Sequence, residues 1–423
     1  MNDNSILYDK KYIYIFGDDY YKRGKYKIEK IFGKFINILS ISLGGNHSIF
    51  LSECGRMYGY GSNIYGQLGL GKKRKIEKSM RLLMKNIKLV ETGNNHTLVY
   101  TKNKDLIGFG NNTNGELGME EKIKYVHSPR FIKKINHIKQ ICCGENHSLI
   151  LLENNQIFVC GDNTYGQLGI SNKIKKSYKL IYQNTYHNTE SIYSGRFHSI
   201  IERKKFKKGC MESELIGFGS NKYGQLGLGL STPKIFKPTK INIYNIRFPV
   251  EKPSRQKEKS KIIKFISCGG DHTFFSFVNG NIYSFGWNKH YQLGVSNICN
   301  SFTPQYVMND PNILKISAGR SHNMIYHRSG IISVFGNNKN EQLGVRKIIR
   351  KQLNNRILFK NLDILILMKG HIINKNWDPH NHYKFNEKFK KCVFMFLCIL
   401  KRKQNSLIIP PKYIKYKIIN YFI

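Results

Sequence analysis

Six histidines close a Gly-x-x-His tetrad in this chain: His47, His96, His147, His198, His272 and His322. Imidazole is the side chain that most often binds a transition metal or moves a proton near neutral pH. A second group near the end, His371, His380, His382, Cys392 and Cys398, adds further ligand types, but its spacing fits no standard zinc site. Metal ligands must converge within a few ångströms, so the elements that carry the histidines decide what they can do. No Gly-x-Ser-x-Gly, P-loop or His-Glu-x-x-His motif offers another active site.

Those elements repeat. Each tetrad is followed by a strand-closing glycine, Gly61, Gly110, Gly161, Gly219, Gly286 or Gly336. A Leu-Gly dipeptide follows, ending at Gly69, Gly118, Gly169, Gly227, Gly294 or Gly344. Three landmarks at fixed offsets, returning about every 50 residues, define a repeat array. Within a unit such as His272–Gly294, two short runs rich in Phe, Ile, Tyr and Ser flank the turn dipeptide Asn279-Gly280. The runs are too short for helices, so each unit reads as a small antiparallel sheet of four strands, the blade of a propeller.

Counting the strand-closing glycines gives the architecture. A seventh stands at Gly17, and Gly370-His371 continues the rhythm beyond Gly344. The expectation is an all-β, seven-bladed β-propeller of four-stranded blades. Its ring is closed where C-terminal strands join the N-terminal strand near Tyr12–Phe16. Residues 1–423 then form one propeller, with six clear repeats over about 40–345 and a shared closing blade from 1–39 and 346–423. Two polar insertions, Arg203–Glu214 and Ile246–Lys261, read as solvent loops. In a ring, equivalent histidines sit one per blade and cannot converge on a metal, so each is expected to tie its own loop. No metal, cofactor or catalytic residue is assigned, and the protein reads as a binding surface rather than an enzyme.

The 69 Lys and Arg against 27 Asp and Glu give a formal charge of +42. Such a surface attracts polyanions even where AT-rich coding bias accounts for much of the lysine. Nine scattered cysteines without a Cys-x-x-Cys pair, and an N-terminus lacking a charged start and long apolar core, point to a reducing compartment. The apolar run Val393–Leu400 is too short to cross a bilayer, so no membrane partner is expected.

The unit Gly-x-x-His-strand-turn-strand-Phe-Gly-x-Asn-x-x-Gly-Gln-Leu-Gly resembles the regulator of chromosome condensation repeat. The likeness is clear in Asn163–Gly169 and Asn221–Gly227 and extends over about residues 12–345. The resemblance implies a seven-bladed propeller whose founding activity is guanine-nucleotide exchange on the small GTPase Ran, performed on chromatin in the nucleus. The same repeats occur in ubiquitin ligases with a large domain after the propeller, whereas only residues 345–423 follow Gly344 here. They also occur in an ultraviolet receptor that relies on clustered tryptophans, while this chain has Trp287 and Trp377 alone.

A monomeric exchange factor for a Ran-type GTPase, bound to chromatin through DNA or histones, is therefore the leading expectation. A non-catalytic scaffold of the same family is the alternative. The resemblance places GTPase docking on the face of the Gly-x-x-His loops, where the family sets acidic residues. The residues expected there are Asn46, Asn94, Glu145, Asn146, Arg196, Asp271 and Arg320.

Overall fold

The computed structural model describes residues 37–207, 209–243, 262–295, 299–328, 332–340 and 342–343, with the strands Ser5–Tyr8, Tyr12–Phe16, Gly24–Lys27 and Ile357–Phe359. No helix occurs among them. Contacts divide the chain into two compact units, Met1–His327 with Ser333–Ile357, and Arg328–Ile332 with Leu358–Ile423. In the second unit only Arg328, Ile332, Leu358 and Phe359 are described.

The strands form an all-β propeller of six four-stranded blades, covering residues 38–84, 87–134, 138–185, 189–241, 263–309 and 313–359. They are numbered 1 to 6 below. In each blade the strands follow chain order and pair antiparallel, as hairpins require. The first strand of each blade packs against the first strand of the next. In blade 1 these neighbours are joined by the Ser42–Thr92 side-chain hydrogen bond of 2.8 Å.

The repeated glycines and leucines have visible causes. Each tetrad histidine of blades 1 to 5 lies directly opposite a strand-closing glycine, His147 facing Gly161 for example. Gly161 has φ +107, and a Cβ there would meet the Asn146 carbonyl oxygen at 2.4 Å. Only glycine fits that turn and that approach. Leu68, Leu117, Leu168, Leu226, Leu293 and Leu343 of the Leu-Gly turns are all buried. Each turn is held by an asparagine: Asn163 donates through Nδ2 to the Ser171 and Ile174 carbonyls and accepts at Oδ1 from Leu168 N.

Two expectations are corrected. The described chain holds six four-stranded blades and a separate three-stranded N-terminal sheet, not seven four-stranded blades. Tyr12–Phe16 does not receive a C-terminal strand, because it is the middle strand of that sheet. It pairs with Ser5–Tyr8 on one edge and Gly24–Lys27 on the other. Both partners lie a few residues away in sequence, and short loops cost least entropy to close. Residues 360–423, assigned to the closing blade, and 246–261, the second insertion, lie outside the described residues.

The first insertion is not a solvent loop. Strands His198–Lys207 and Cys210–Ser220 continue blade 4 as one long hairpin, paired out to Lys207 opposite Cys210. Its charge misleads, since the acids are turned inward and neutralised. Glu202 and Glu214 are buried; Lys204 pairs with Glu202 at 2.9 Å, and Glu214 takes Arg203 and, at 2.7 Å, Lys240. Burial alone would raise the Glu214 carboxyl, but the bonds from Lys240 and Arg203 outweigh it and hold it at about 2.

Candidate partner-binding face

Five of the six tetrad histidines are blade-to-blade clamps. His47, His96, His147 and His198 reach across to Thr97, Ser148, Ser199 and Thr273 of the following blade at 3.0–3.1 Å. Those hydroxyls donate their single hydrogen to the backbone oxygens of Gln67, Glu116, Gln167 and Gln225, so they must accept from the imidazole. Blade 5 reaches the same answer with an amide: Asn323 donates through Nδ2 to the Gln292 carbonyl, and its Oδ1 accepts from His272 Nε2 at 2.9 Å. Each ring therefore carries its proton on Nε2.

The other ring edge lies on the tetrad glycine. A Cβ on Gly144 would sit 2.0 Å from His147 Cε1 and 2.4 Å from Nδ1. Burial lowers all six histidines from their ordinary 6.5, to about 3 for His47, His96, His198 and His322 and about 4 for His147 and His272. Nε2 of His47, His96, His147, His198 and His272 is engaged, while Nδ1 is buried against the tetrad glycine without a hydrogen-bond partner, so enclosure keeps a metal or substrate from these rings. The expectation that each histidine ties its own loop is corrected: His47, His96, His147, His198 and His272 tie neighbouring blades. The group from His371 to Cys398 lies outside the described residues.

The tetrad loops themselves form one face. Gly45 N donates to Asn94 O at 2.8 Å, Glu145 N to Arg196 O at 3.0 Å, Arg196 N to Gly270 O at 3.0 Å and Gly270 N to Arg320 O at 3.1 Å. The loops of blades 1 and 2, and those of blades 3 to 6, are thus bonded across blade boundaries. Of the seven residues expected at this face, Asn46 and Arg320 are exposed, while Asn94, Glu145, Asn146, Arg196 and Asp271 are half-buried.

The charges face one another. Glu145 is paired with Arg196 of the next blade, and Asp271 accepts from Gln225 Nε2 at 3.2 Å. Burial raises the Asp271 carboxyl, against the pull of Arg196 and Arg320. The acids expected to grip a partner are already committed inside the row. What the face offers outward is a polar and cationic edge.

The turn glutamine shows why one blade differs. Gln67, Gln167 and Gln225 each accept from a backbone N–H two residues earlier at 2.9 Å. Blade 2 has Glu116 there, fully buried, accepting from Asn111 Nδ2 at 2.5 Å and Asn114 N at 2.8 Å. Burial raises its carboxyl from 4.5 to about 7. Because the folded value is the higher one, its stabilisation is complete below 4.5 and is lost as pH rises through 7. Glu116→Gln is expected to raise stability by roughly 1–3 kcal/mol at pH 8 and by little at pH 5. Melting curves at the two pH values check this, and an equal shift at both would contradict it.

Two family models for the "Regulator of chromosome condensation (RCC1) repeat" match this architecture. One covers residues 38–67, 87–116, 138–167 and 263–292, the other 54–100, 105–151, 212–276 and 279–326. The chain belongs to that repeat family. It is 38% identical over 281 residues to the human "Probable E3 ubiquitin-protein ligase HERC4", across 64% of this chain and 24% of that protein. To human "Protein RCC2" it is 27% identical over 276 residues, across 62% of this chain and 41% of that one.

The chain therefore spans well under half of either relative. Among solved structures, Prp20p from Saccharomyces cerevisiae, described with its binding to Gsp1p and histones, superposes with a TM-score of 0.63. The identity is 19%, over 77% of each chain. At that identity the likeness shows the fold.

Proposed function

We propose that this protein is a guanine-nucleotide exchange factor for a Ran-type small GTPase, acting in the nucleus on chromatin. The observation that carries the reading is the row of bonded Gly-x-x-His loops on one face, in a chain whose repeated histidines are all taken up by the fold. Such a face is suited to binding a partner. Exchange needs no covalent chemistry. A factor that holds the nucleotide-free GTPase more tightly than the loaded form expels the nucleotide by linkage. The +42 charge supports chromatin contact through phosphate, with affinity that falls as salt rises.

The second reading, a scaffold that binds a protein without exchanging nucleotide, is favoured by one observation: Glu145 is spent on Arg196. The two readings separate on affinity. The exchange reading expects the nucleotide-free GTPase to bind roughly 100-fold tighter than the GDP-loaded form. Arg320→Gln should slow association severalfold with a smaller effect on melting, since exposed charges steer encounter. Equal affinity for both forms of the GTPase selects the scaffold.

A further inference from the structure

The same face carries aromatic groups that the exchange reading does not use. At the boundary of blades 3 and 4, Tyr165 packs on Phe197 with ring centroids 5.1 Å apart. At the next boundary Tyr223 packs on Trp287 at 5.9 Å. Tyr165 and Tyr223 hold the same place in their Asn-x-Tyr-Gly-Gln-Leu-Gly turns. Phe197 and Trp287 occupy different places in the repeat, but those places are backbone partners. Ser220 N donates to Phe197 O at 2.7 Å, and Trp287 N to Asp271 O at 2.8 Å. A large ring thus arrives at an equivalent position twice, from two sequence addresses. All four rings are half-buried rather than enclosed.

Cations attend these rings. Lys234 Nζ lies 5.0 Å from the Tyr165 ring centre, Lys222 Nζ 5.4 Å from that of Tyr223, and the Arg196 guanidinium 4.7 Å from that of Phe197. Arg196 is neutralised by Glu145; Lys222 and Lys234 are exposed and form no ion pair with a carboxylate of the described residues, although Lys222 also acts on Asp271 at longer range. Packing between blades accounts for half-buried aromatics. What sets these two boundaries apart is that the lysines stand beside successive ring pairs on one face.

We propose that these two boundaries form a track for single-stranded nucleic acid, with bases stacking at the ring pairs and phosphates at Lys222 and Lys234. Rings with adjacent cations are the groups that hold a single strand without reading its sequence. In a duplex the base faces are stacked on each other and cannot reach the rings, so the structure favours a single strand over general duplex binding. The inference stands apart from the exchange reading, although a strand and a GTPase would compete for the face.

The test uses Trp287 as its own reporter. In full-length protein carrying Trp377→Phe, titration with an oligouridylate of roughly 15 nucleotides should quench Trp287 fluorescence. The strand should bind at least about 10-fold tighter than the same oligonucleotide annealed to oligoadenylate. Trp287→Ala, read by anisotropy of a labelled strand, should weaken binding about 10-fold, and Trp287→Phe should restore most of it. Lys222→Gln with Lys234→Gln should lower the slope of log affinity against log salt by about 1.4, near 0.7 for each lost phosphate contact. Duplex bound as tightly as single strand, with Trp287 unquenched, overturns the proposal. So does a Trp287→Ala protein that melts and binds like the parent. No GTPase enters the assay, so its failure leaves the exchange reading where it stands.

Discussion

Acidification from pH 6.5 to 4.5 is expected to unfold the blades cooperatively. Six buried histidines have folded values of about 3 to 4 against an ordinary 6.5. Above 6.5 they are neutral whether the chain is folded or not, and their clamping is fully present. As pH falls below 6.5 the unfolded chain binds protons that the folded chain refuses, so stability falls with pH. Two carboxyls oppose this: Glu91 and Glu116 are raised by burial to about 7 and take up protons in the folded state first.

The net excess in the unfolded chain is about four protons, worth about 5 kcal/mol per pH unit. A domain stable by roughly 5–15 kcal/mol does not survive much more than two such units. Denaturant midpoints measured at half-unit steps give the slope directly. A midpoint flat from pH 7 to 4.5 would contradict the neutral, enclosed state of the histidines.

The second large effect concerns the contact between Gly144 and His147. Gly144→Ala puts a methyl 2.0 Å from His147 Cε1 and 2.8 Å from the Gly195 carbonyl oxygen, so the ring must leave its seat. The expected cost is about 3 kcal/mol or more, at the upper end for overpacking. His147→Ala empties a buried site and deprives Ser199 of its donor, for about 2–5 kcal/mol. The double variant should be well short of the sum, because the new methyl enters the space the ring vacates, with a coupling of about 2 kcal/mol. Gly71→Ala is the control: φ is +81 but nothing lies within 4 Å, so only about 1 kcal/mol of backbone strain is expected. Strictly additive costs at Gly144 and His147 would mean that the ring does not rest on the glycine.

The blades were legible because their landmarks are backbone requirements. A glycine at φ +107 against a carbonyl leaves a mark in sequence that charge and drift cannot erase. The clamp was half legible. The residue after each tetrad histidine is Ser48, Thr97, Ser148, Ser199, Thr273 or Asn323, always a side chain able to accept a hydrogen bond. That regularity stood in view, yet its partner lies one blade away, some 50 residues along the chain, where no local pattern points.

The Arg203–Glu214 hairpin was misjudged for a different reason. The run Glu202–Lys205 is charged throughout and shows no alternation, and buried ion pairs look like solvent charge in one dimension. The count of seven blades treated Gly17 as a repeat landmark. A glycine closing a strand does not say which strands will pair with it. At the candidate site, spacing placed the loops on one face but could not show that Glu145 and Arg196 would neutralise each other across a blade boundary.

Release of a fluorescent guanine nucleotide from a purified Ran-type GTPase, with the full-length protein present in less than stoichiometric amount, tests the account most directly. The account predicts release accelerated roughly 100-fold or more, with turnover over many GTPase molecules. An unchanged release rate at concentrations where the two proteins are shown to be bound would contradict it, and would leave the propeller as a scaffold.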